Sequence, residues 1–209
     1  MKTALLAATA LCFAVPASAA VILTFGQSAS NQAITATANG AGTSTTIAAT
    51  NAPISITQID GGVPSPALFD LNVTSTTAAQ PLAGGGFQHY SGSFSITSGA
   101  GGSGTNFLSG SFSDIVVGVG TGGVLAAGAP PDTINFTSSV IPVLDLPRAI
   151  ALAFANLSPA FNIDNATIGS FTSSVSGTFS ANAVPEPVPL AVLGVGLLGL
   201  AMVKRRKPS

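Results

Sequence analysis

The sequence predicts an all-β fold, an antiparallel β-sandwich over residues 20–183, set between an apolar segment at each end of the chain. Three observations predict it. Apolar residues recur at every second position in several stretches, as a strand with one buried face requires. A Gly-hydroxyl-Phe-hydroxyl unit occurs four times. Between these stretches lie clusters of Gly, Pro, Asn and Ser, the residues that turns select.

Taken in order, Val21-Ile22-Leu23-Thr24-Phe25 reads as the first strand, and Ile54, Ile56 and Ile59 mark a second. Phe69, Leu71 and Val73 alternate with Leu68, Asp70 and Asn72 in a third. Residues 134–140 and 150–154 repeat the pattern; the latter is Ala-rich, but its alternation favours strand over helix. The repeated unit appears as Gly92-Ser93-Phe94-Ser95, Gly110-Ser111-Phe112-Ser113, Gly169-Ser170-Phe171-Thr172 and Gly177-Thr178-Phe179-Ser180. Each copy puts Phe on one face and hydroxyls on the other. The first two flank a Gly-rich connection at 99–104 that suits a hairpin, and the uneven spacing of all four argues against a solenoid. Residues 118–128 and Ala129-Pro130-Pro131 read as loops. A final strand over 168–179 leads through Ser180-Ala181-Asn182-Ala183 to the tail.

Composition narrows the function. Charged residues make up 6% of the 209 positions, against about 25% in an ordinary soluble domain. Residues 20–184 hold six Asp and one Arg, with no Lys or Glu, a net charge of −5. Such a surface repels phosphate backbones, which argues against nucleic acid as a partner. The one Cys, Cys12, lies in the first apolar segment, so the domain beyond it has neither thiol nor disulfide. Its stability must come from apolar burial and backbone pairing. Ser, Thr, Asn and Gly supply the polar surface.

Residues 1–19 have the three parts of a secretory leader. Met1-Lys2 is the basic start, residues 4–15 form the apolar run, and Pro16-Ala17-Ser18-Ala19 ends in small residues. Cleavage is expected before Ala20, with Ala17 and Ala19 read by signal peptidase. Cys12 sits mid-run after Thr9-Ala10-Leu11, unlike a lipoprotein signal. At the other end, residues 188–203 form a 16-residue apolar stretch. As a helix it would be about 24 Å long, enough for a transmembrane helix in a bilayer that thins locally. The basic stop Lys204-Arg205-Arg206-Lys207 would stay cytoplasmic and put the domain outside, as the leader does.

Val184-Pro185-Glu186-Pro187 precedes that stretch. Pro185 and Pro187 hold the backbone extended, a form a protease cleft accepts, and Glu186 adds one fixed charge. Pro185, Glu186 and Pro187, then an apolar run with Gly194, Gly196 and Gly199, then Arg205 and Arg206, together resemble the PEP-CTERM sorting signal of Gram-negative, biofilm-forming bacteria. A similar segment is also called an ice-binding protein C-terminal domain, a label for the tail alone. The resemblance covers residues 184–207. It implies recognition and removal by an exosortase, a membrane transpeptidase-like enzyme, and company with exopolysaccharide. The domains are thus expected as leader 1–19, β-rich exported domain 20–183 and sorting tail 184–209.

No catalytic constellation stands out. Gly118-Val119-Gly120-Thr121-Gly122-Gly123 satisfies G-x-G-x-x-G, but no helix is expected after it, and the pattern recurs at 99–104 and 194–199 in a chain with 24 Gly. The single His, His89, adjoins the single Tyr, Tyr90, and there is no G-x-S-x-G elbow. One His and no thiol are too few for zinc. Asn162, Asp164 and Asn165 are the densest oxygen cluster for calcium, with Asp60 beside Gly61-Gly62 second, though neither fits a calcium-loop pattern and such residues commonly make turns. Thr35, Thr37, Thr43, Thr45 and Thr46 are candidates for a Thr ladder facing ice or glycan, as well as ordinary strand residues. The expectation is a non-catalytic exported surface or matrix protein without a cofactor, its partners signal peptidase, an exosortase-like enzyme, exopolysaccharide and, through 188–203, the membrane. The alternative is a carbohydrate- or calcium-dependent binding module.

Overall fold

The computed structural model describes residues 19–27, 32–119, 122–128 and 133–183, and Ala19–Ala183 form one compact unit. Alternation decides the local structure. In the strand Pro66–Ser75, Ala67, Phe69, Leu71 and Val73 are buried, while Asn72 and Thr74 between them are exposed. The Ala-rich stretch is a strand too, Ala149–Ser158, with Ile150, Leu152 and Phe154 inward and Ala151, Ala153 and Ala155 outward.

Thirteen strands are present among the described residues: β1 Ala19–Gln27, β2 Ile34–Ala38, β3 Thr45–Ile59, β4 Pro66–Ser75, β5 Gln80–Leu82, β6 Gly85–Thr97, β7 Asn106–Val119, β8 Gly123–Ala127, β9 Thr133–Thr137, β10 Ala149–Ser158, β11 Ile163–Asp164, β12 Thr167–Ile168 and β13 Phe171–Ala183. All their pairings are antiparallel. The all-β antiparallel class is as expected, but the two-layer sandwich is not. The order β6-β4-β3-β1-β13-β10-β8-β7 returns to β6, because β6 and β7 also pair, so one hydrogen-bonded sheet closes on itself. β1 and β2 follow one another along the same gap between β3 and β13, and β8 and β9 likewise follow one another along β7. Two further expectations change. Residues 118–128 are mostly strand, the end of β7 and all of β8, and the strand expected over 134–140 ends at Thr137.

The repeated unit explains how the ring is filled. Two copies face each other across β6 and β7 with Gly92 opposite Phe112 and Phe94 opposite Gly110. Gly110 leaves room beside the Phe94 ring, whereas Gly92 lies close against β4, where a Cβ would overlap Asn72 O. A Cβ on Gly110 would stand 3.0 Å from the Phe94 ring and 3.1 Å from the Phe136 ring. β6 and β13 occupy opposite positions in the eight-membered ring, yet Phe94 and Phe179 stack with centroids 4.8 Å apart. Phe136 packs on both rings and Phe112 on Phe94, and Phe25 joins Phe69 at 5.1 Å and Phe179 at 6.1 Å. The interior is therefore a packed aromatic core and not a channel. Phe171, from the remaining copy, packs on Phe154.

Both ends of the compact unit lie at one end of the barrel, where Ala19 pairs with Ala183. The β3–β4 turn is there, since Asp60 N–H donates to Ile22 O, and so is the 138–148 loop, which delivers Ala149 opposite Ser180. Arg148 holds that loop against the edge of β9. Its Nε donates to Leu144 O at 2.7 Å, its Nη1 to Ile134 O at 3.0 Å, and it lies over the Phe136 ring. Among the described residues no helix is long and apolar enough to cross a membrane; the stretch expected to do so, 188–203, lies outside them.

Gly177 offers a direct test of this packing. Its Cβ would overlap the Phe25 ring and approach Leu152 Cδ2 at 2.7 Å, whereas at Gly26, next along the barrel, nothing lies within 4 Å. Gly177→Ala is expected to destabilise by about 1–3 kcal/mol and Gly26→Ala to change stability by less than about 0.5 kcal/mol, both read from denaturant unfolding midpoints.

Candidate functional site

Two places outside the aromatic core gather polar side chains. The first closes the barrel end remote from Ala19 and Ala183. There the β11–β12 hairpin is held by a buried network. Gln88 Nε2 donates to Thr77 O at 2.7 Å and to Thr167 Oγ1 at 3.1 Å, while Gln88 Oε1 accepts from Tyr90 Oη and from Ile168 N–H, each at 3.1 Å. Thr45 Oγ1 lies 2.5 Å from Thr167 Oγ1 and also donates to Ile168 O. Gln88, Tyr90, Thr45 and Thr167 are fully buried. Every polar atom named has a partner, so the network serves as a fastening that fixes the hairpin in one position.

The second is the outer surface. Outward positions of seven consecutive strand segments align in one registered row: Thr172 on β13, Thr35 on β2, Ala48 on β3, Asn72 on β4, Ser93 on β6, Ser111 on β7 and Asn135 on β9. At about 4.8 Å between strands the row runs roughly 29 Å around the barrel. A parallel row holds Thr37, Thr46, Thr74 and Ser91, and another Asp70, Ser95, Ser109 and Thr137. Neighbours bond across strands, as in Ser109 with Thr137 at 2.8 Å and Thr46 with Thr74 at 3.3 Å. Ala48, with no side chain beyond Cβ, lies in an open groove of about 520 Å³, bordered by Thr46, Thr50, Asp70, Asn72 and Ser93. The side of the barrel over β10 differs, presenting Ala151, Ala153 and Ala155.

Asp70 is the one ionisable group of the groove, and it is engaged in holding backbone. Its Oδ1 accepts Asn51 N–H at 2.7 Å, stabilising the β3 irregularity where Asn51 has φ 49°. Asn51 Oδ1 in turn accepts Gly101 N–H from the β6–β7 connection at 2.7 Å. The groove therefore offers hydroxyl and amide donors and acceptors, chemistry suited to a hydroxylated neutral ligand or to ordered water.

The sequence-derived candidates divide as follows. Thr35, Thr37 and Thr46 lie on the outer rows. Thr45 faces inward, and Thr43 is in the β2–β3 turn, bonded to Asn39. Asn162 packs over Gly169, Asn165 makes the tight β11–β12 turn at φ 55°, and Asp164 pairs with Thr167. These are turn roles, and among the described residues no three His, Cys, Asp or Glu cluster for a metal. His89 is half-buried in β6 with its ring edge-on to Phe87. Of the two internal G-x-G-x-x-G segments, 99–104 lies in the connection from β6 to β7, and 118–123 begins with the last two residues of β7 and ends with the first of β8. Ala19 and Ala20 open β1; Ala17, Pro185, Glu186, Pro187, Arg205 and Arg206 lie outside the described residues. Asn72, Ser93, Ser111 and Asn135 were not among the candidates. The signal for three of them was the outward half of alternating strands, but only register aligns them.

No family model, curated protein or solved structure matches this chain.

Tyr90 gives the fastening a pH signature. Burial pushes its phenol above the ordinary value of 10.0, outweighing the opposing hydrogen bond with Thr45. The folded state then holds this proton more tightly than the unfolded chain. The contribution is complete below about pH 10 and is lost as pH rises past it. Because Tyr90 is the only Tyr, phenolate absorbance is expected to stay low until unfolding, and the two are expected to rise together in an alkaline titration. Tyr90→Phe should cost about 1 kcal/mol at neutral pH and flatten the alkaline decline.

Proposed function

We propose that this chain is an exported, non-catalytic protein of the cell surface or extracellular matrix, sorted through its tail by an exosortase-type system and associated with exopolysaccharide. Export and sorting rest on the sequence of the two ends, the leader 1–19 and the Pro185-Glu186-Pro187 tail with Arg205 and Arg206. Association with polysaccharide rests on one observation, the seven-strand row of hydroxyl and amide groups from Thr172 to Asn135, broken only by Ala48. Many weak, uncharged hydrogen bonds along a surface suit a long polymer that touches many of them at once. A lectin-like site is a second reading, favoured by the groove at Ala48.

Affinity electrophoresis of the mature protein in gels containing matrix polysaccharide tests the first reading. Retardation is expected, and Asn72→Ala, Ser93→Ala and Ser111→Ala together should weaken it about tenfold or more, at about 0.5–1.5 kcal/mol per hydrogen bond. Unchanged retardation in the triple variant would remove the row from the argument. Saturable heat with a short oligosaccharide would favour the lectin-like reading, and its loss on chelation would make that binding calcium-dependent.

Sorting is read from the intact mass of the protein recovered from its own cells. A chain that begins at Ala20 and ends near residues 185–187, only when the sorting enzyme is present, is the expected result. A chain ending at Ser209 with or without the enzyme would leave a membrane-anchored domain instead.

A further inference from the structure

The barrel end that carries Ala19 and Ala183 groups several exposed apolar side chains. Val63, on the β3–β4 turn, is 76% exposed, and Leu146, on the 138–148 loop, is 72% exposed. Val143 on the same loop is 44% exposed, and Pro64, Pro142 and Pro147 are exposed beside them. The two segments touch. A Cβ on Gly61 would stand 3.0 Å from Val140 O and 3.1 Å from Pro142 Cδ, and one on Gly62 would stand 3.0 Å from a Val140 methyl. Val21, 41% exposed, is paired with Ser180. Ser180 also faces Ala149, the residue that ends the loop. Four of the exposed large apolar side chains, Val21, Val63, Val143 and Leu146, thus gather around the strands by which the chain enters and leaves the barrel, while Leu82 on β5 and Val124 on β8 are exposed elsewhere.

The covalent chain says what this end meets. β13 ends at Ala183, and the apolar stretch 188–203 begins after four residues. Even fully extended, the step from 183 to 188 spans at most roughly 17 Å. A bilayer that holds residues 188–203 therefore lies within that distance of Ala183. Water-exposed side chains of this kind gain from entering a bilayer interface.

We propose that this end of the barrel docks on the membrane surface while the tail is attached, with Val63, Val143 and Leu146 entering the interfacial layer. The inference rests on the reading of 188–203 as a membrane segment. The contact is apolar and not electrostatic. The same end carries Asp60 and Asp145, and the Arg148 guanidinium is committed to the carbonyls of Ile134 and Leu144. Docking therefore favours zwitterionic over anionic lipid and is insensitive to salt that would screen a charge contact. Removal of the tail takes away the tether, and the remaining side chains are too few to hold the barrel alone.

The test uses the chain from Ala20 to Ser209, reconstituted into phosphatidylcholine liposomes. With the leader absent this chain has no native Cys, so Val63→Cys, Leu146→Cys and, at the opposite end of the barrel, Thr43→Cys each carry a single environment-sensitive fluorophore. Quenching by headgroup-region spin-labelled lipid is expected to be several-fold stronger at 63 and 146 than at 43, unchanged by added salt, and reduced when anionic lipid replaces part of the phosphatidylcholine. Equal, weak quenching at all three positions in protein that floats with the liposomes would overturn the docking and leave the tail as an anchor. Protein that does not float would overturn the membrane reading of the tail and the docking with it. Labels at 63 and 146 that shift with protein concentration in the absence of lipid would assign the patch to a second copy of the chain and overturn the proposal.

Discussion

The structure depends on the hydrogen bonds between β6 and β7, which turn a long antiparallel sheet into a ring. The domain has no disulfide, and a sheet of this size left open would present two bare edges. Closure removes them where β6 meets β7, and Arg148 guards the edge that remains along β9. The pairing requires Gly at the crossing points. Gly92 faces Phe112 and Gly110 faces Phe94; a side chain at 110 would crowd the Phe94 and Phe136 rings, and one at 92 would overlap the β4 backbone at Asn72 O. The meeting of Phe94 with Phe112 and the step of the outer row from Ser93 to Ser111 follow from that alignment.

Much of this was legible in the sequence, and the limits have physical causes. Period-two alternation located β1, β4, β10 and the repeated units because one face of each is buried. It could not distinguish a sandwich from a closed ring, since both bury alternate residues and differ only in whether β6 and β7 exchange hydrogen bonds. Residues 118–128 read as loop because Gly dominates them, yet Val117 and Leu125 sit in the core and draw the segment into strands. The candidate face was only partly visible. Thr35, Thr37 and Thr46 are near one another in sequence, whereas Asn72, Ser93, Ser111 and Asn135 join them through pairings between distant strands. Thr45 was misplaced because a strand that alternates cleanly still gives no indication of which Thr faces the buried Gln88.

The polar groups are segregated by environment. Inside, Gln88, Tyr90, Thr45 and Thr167 satisfy one another and hold the hairpin over one end of the barrel. Outside, the hydroxyl and amide rows leave donors and acceptors for water or polymer. Charge is scarce in both. A surface with so few charges keeps its character across changes of salt, because there is little for ions to screen.

The pairing of Ala19 with Ala183 has a further consequence for how the molecule comes into being. The first strand of the barrel finds its neighbour in the last, so that contact closes a loop of almost the whole domain, the slowest kind to form. A nascent chain can assemble the hairpins of β3, β4, β6 and β7 early, but β1 keeps one unsatisfied edge until β13 arrives. The ring thus stays open until β13 has been made and closes only when that strand reaches β1.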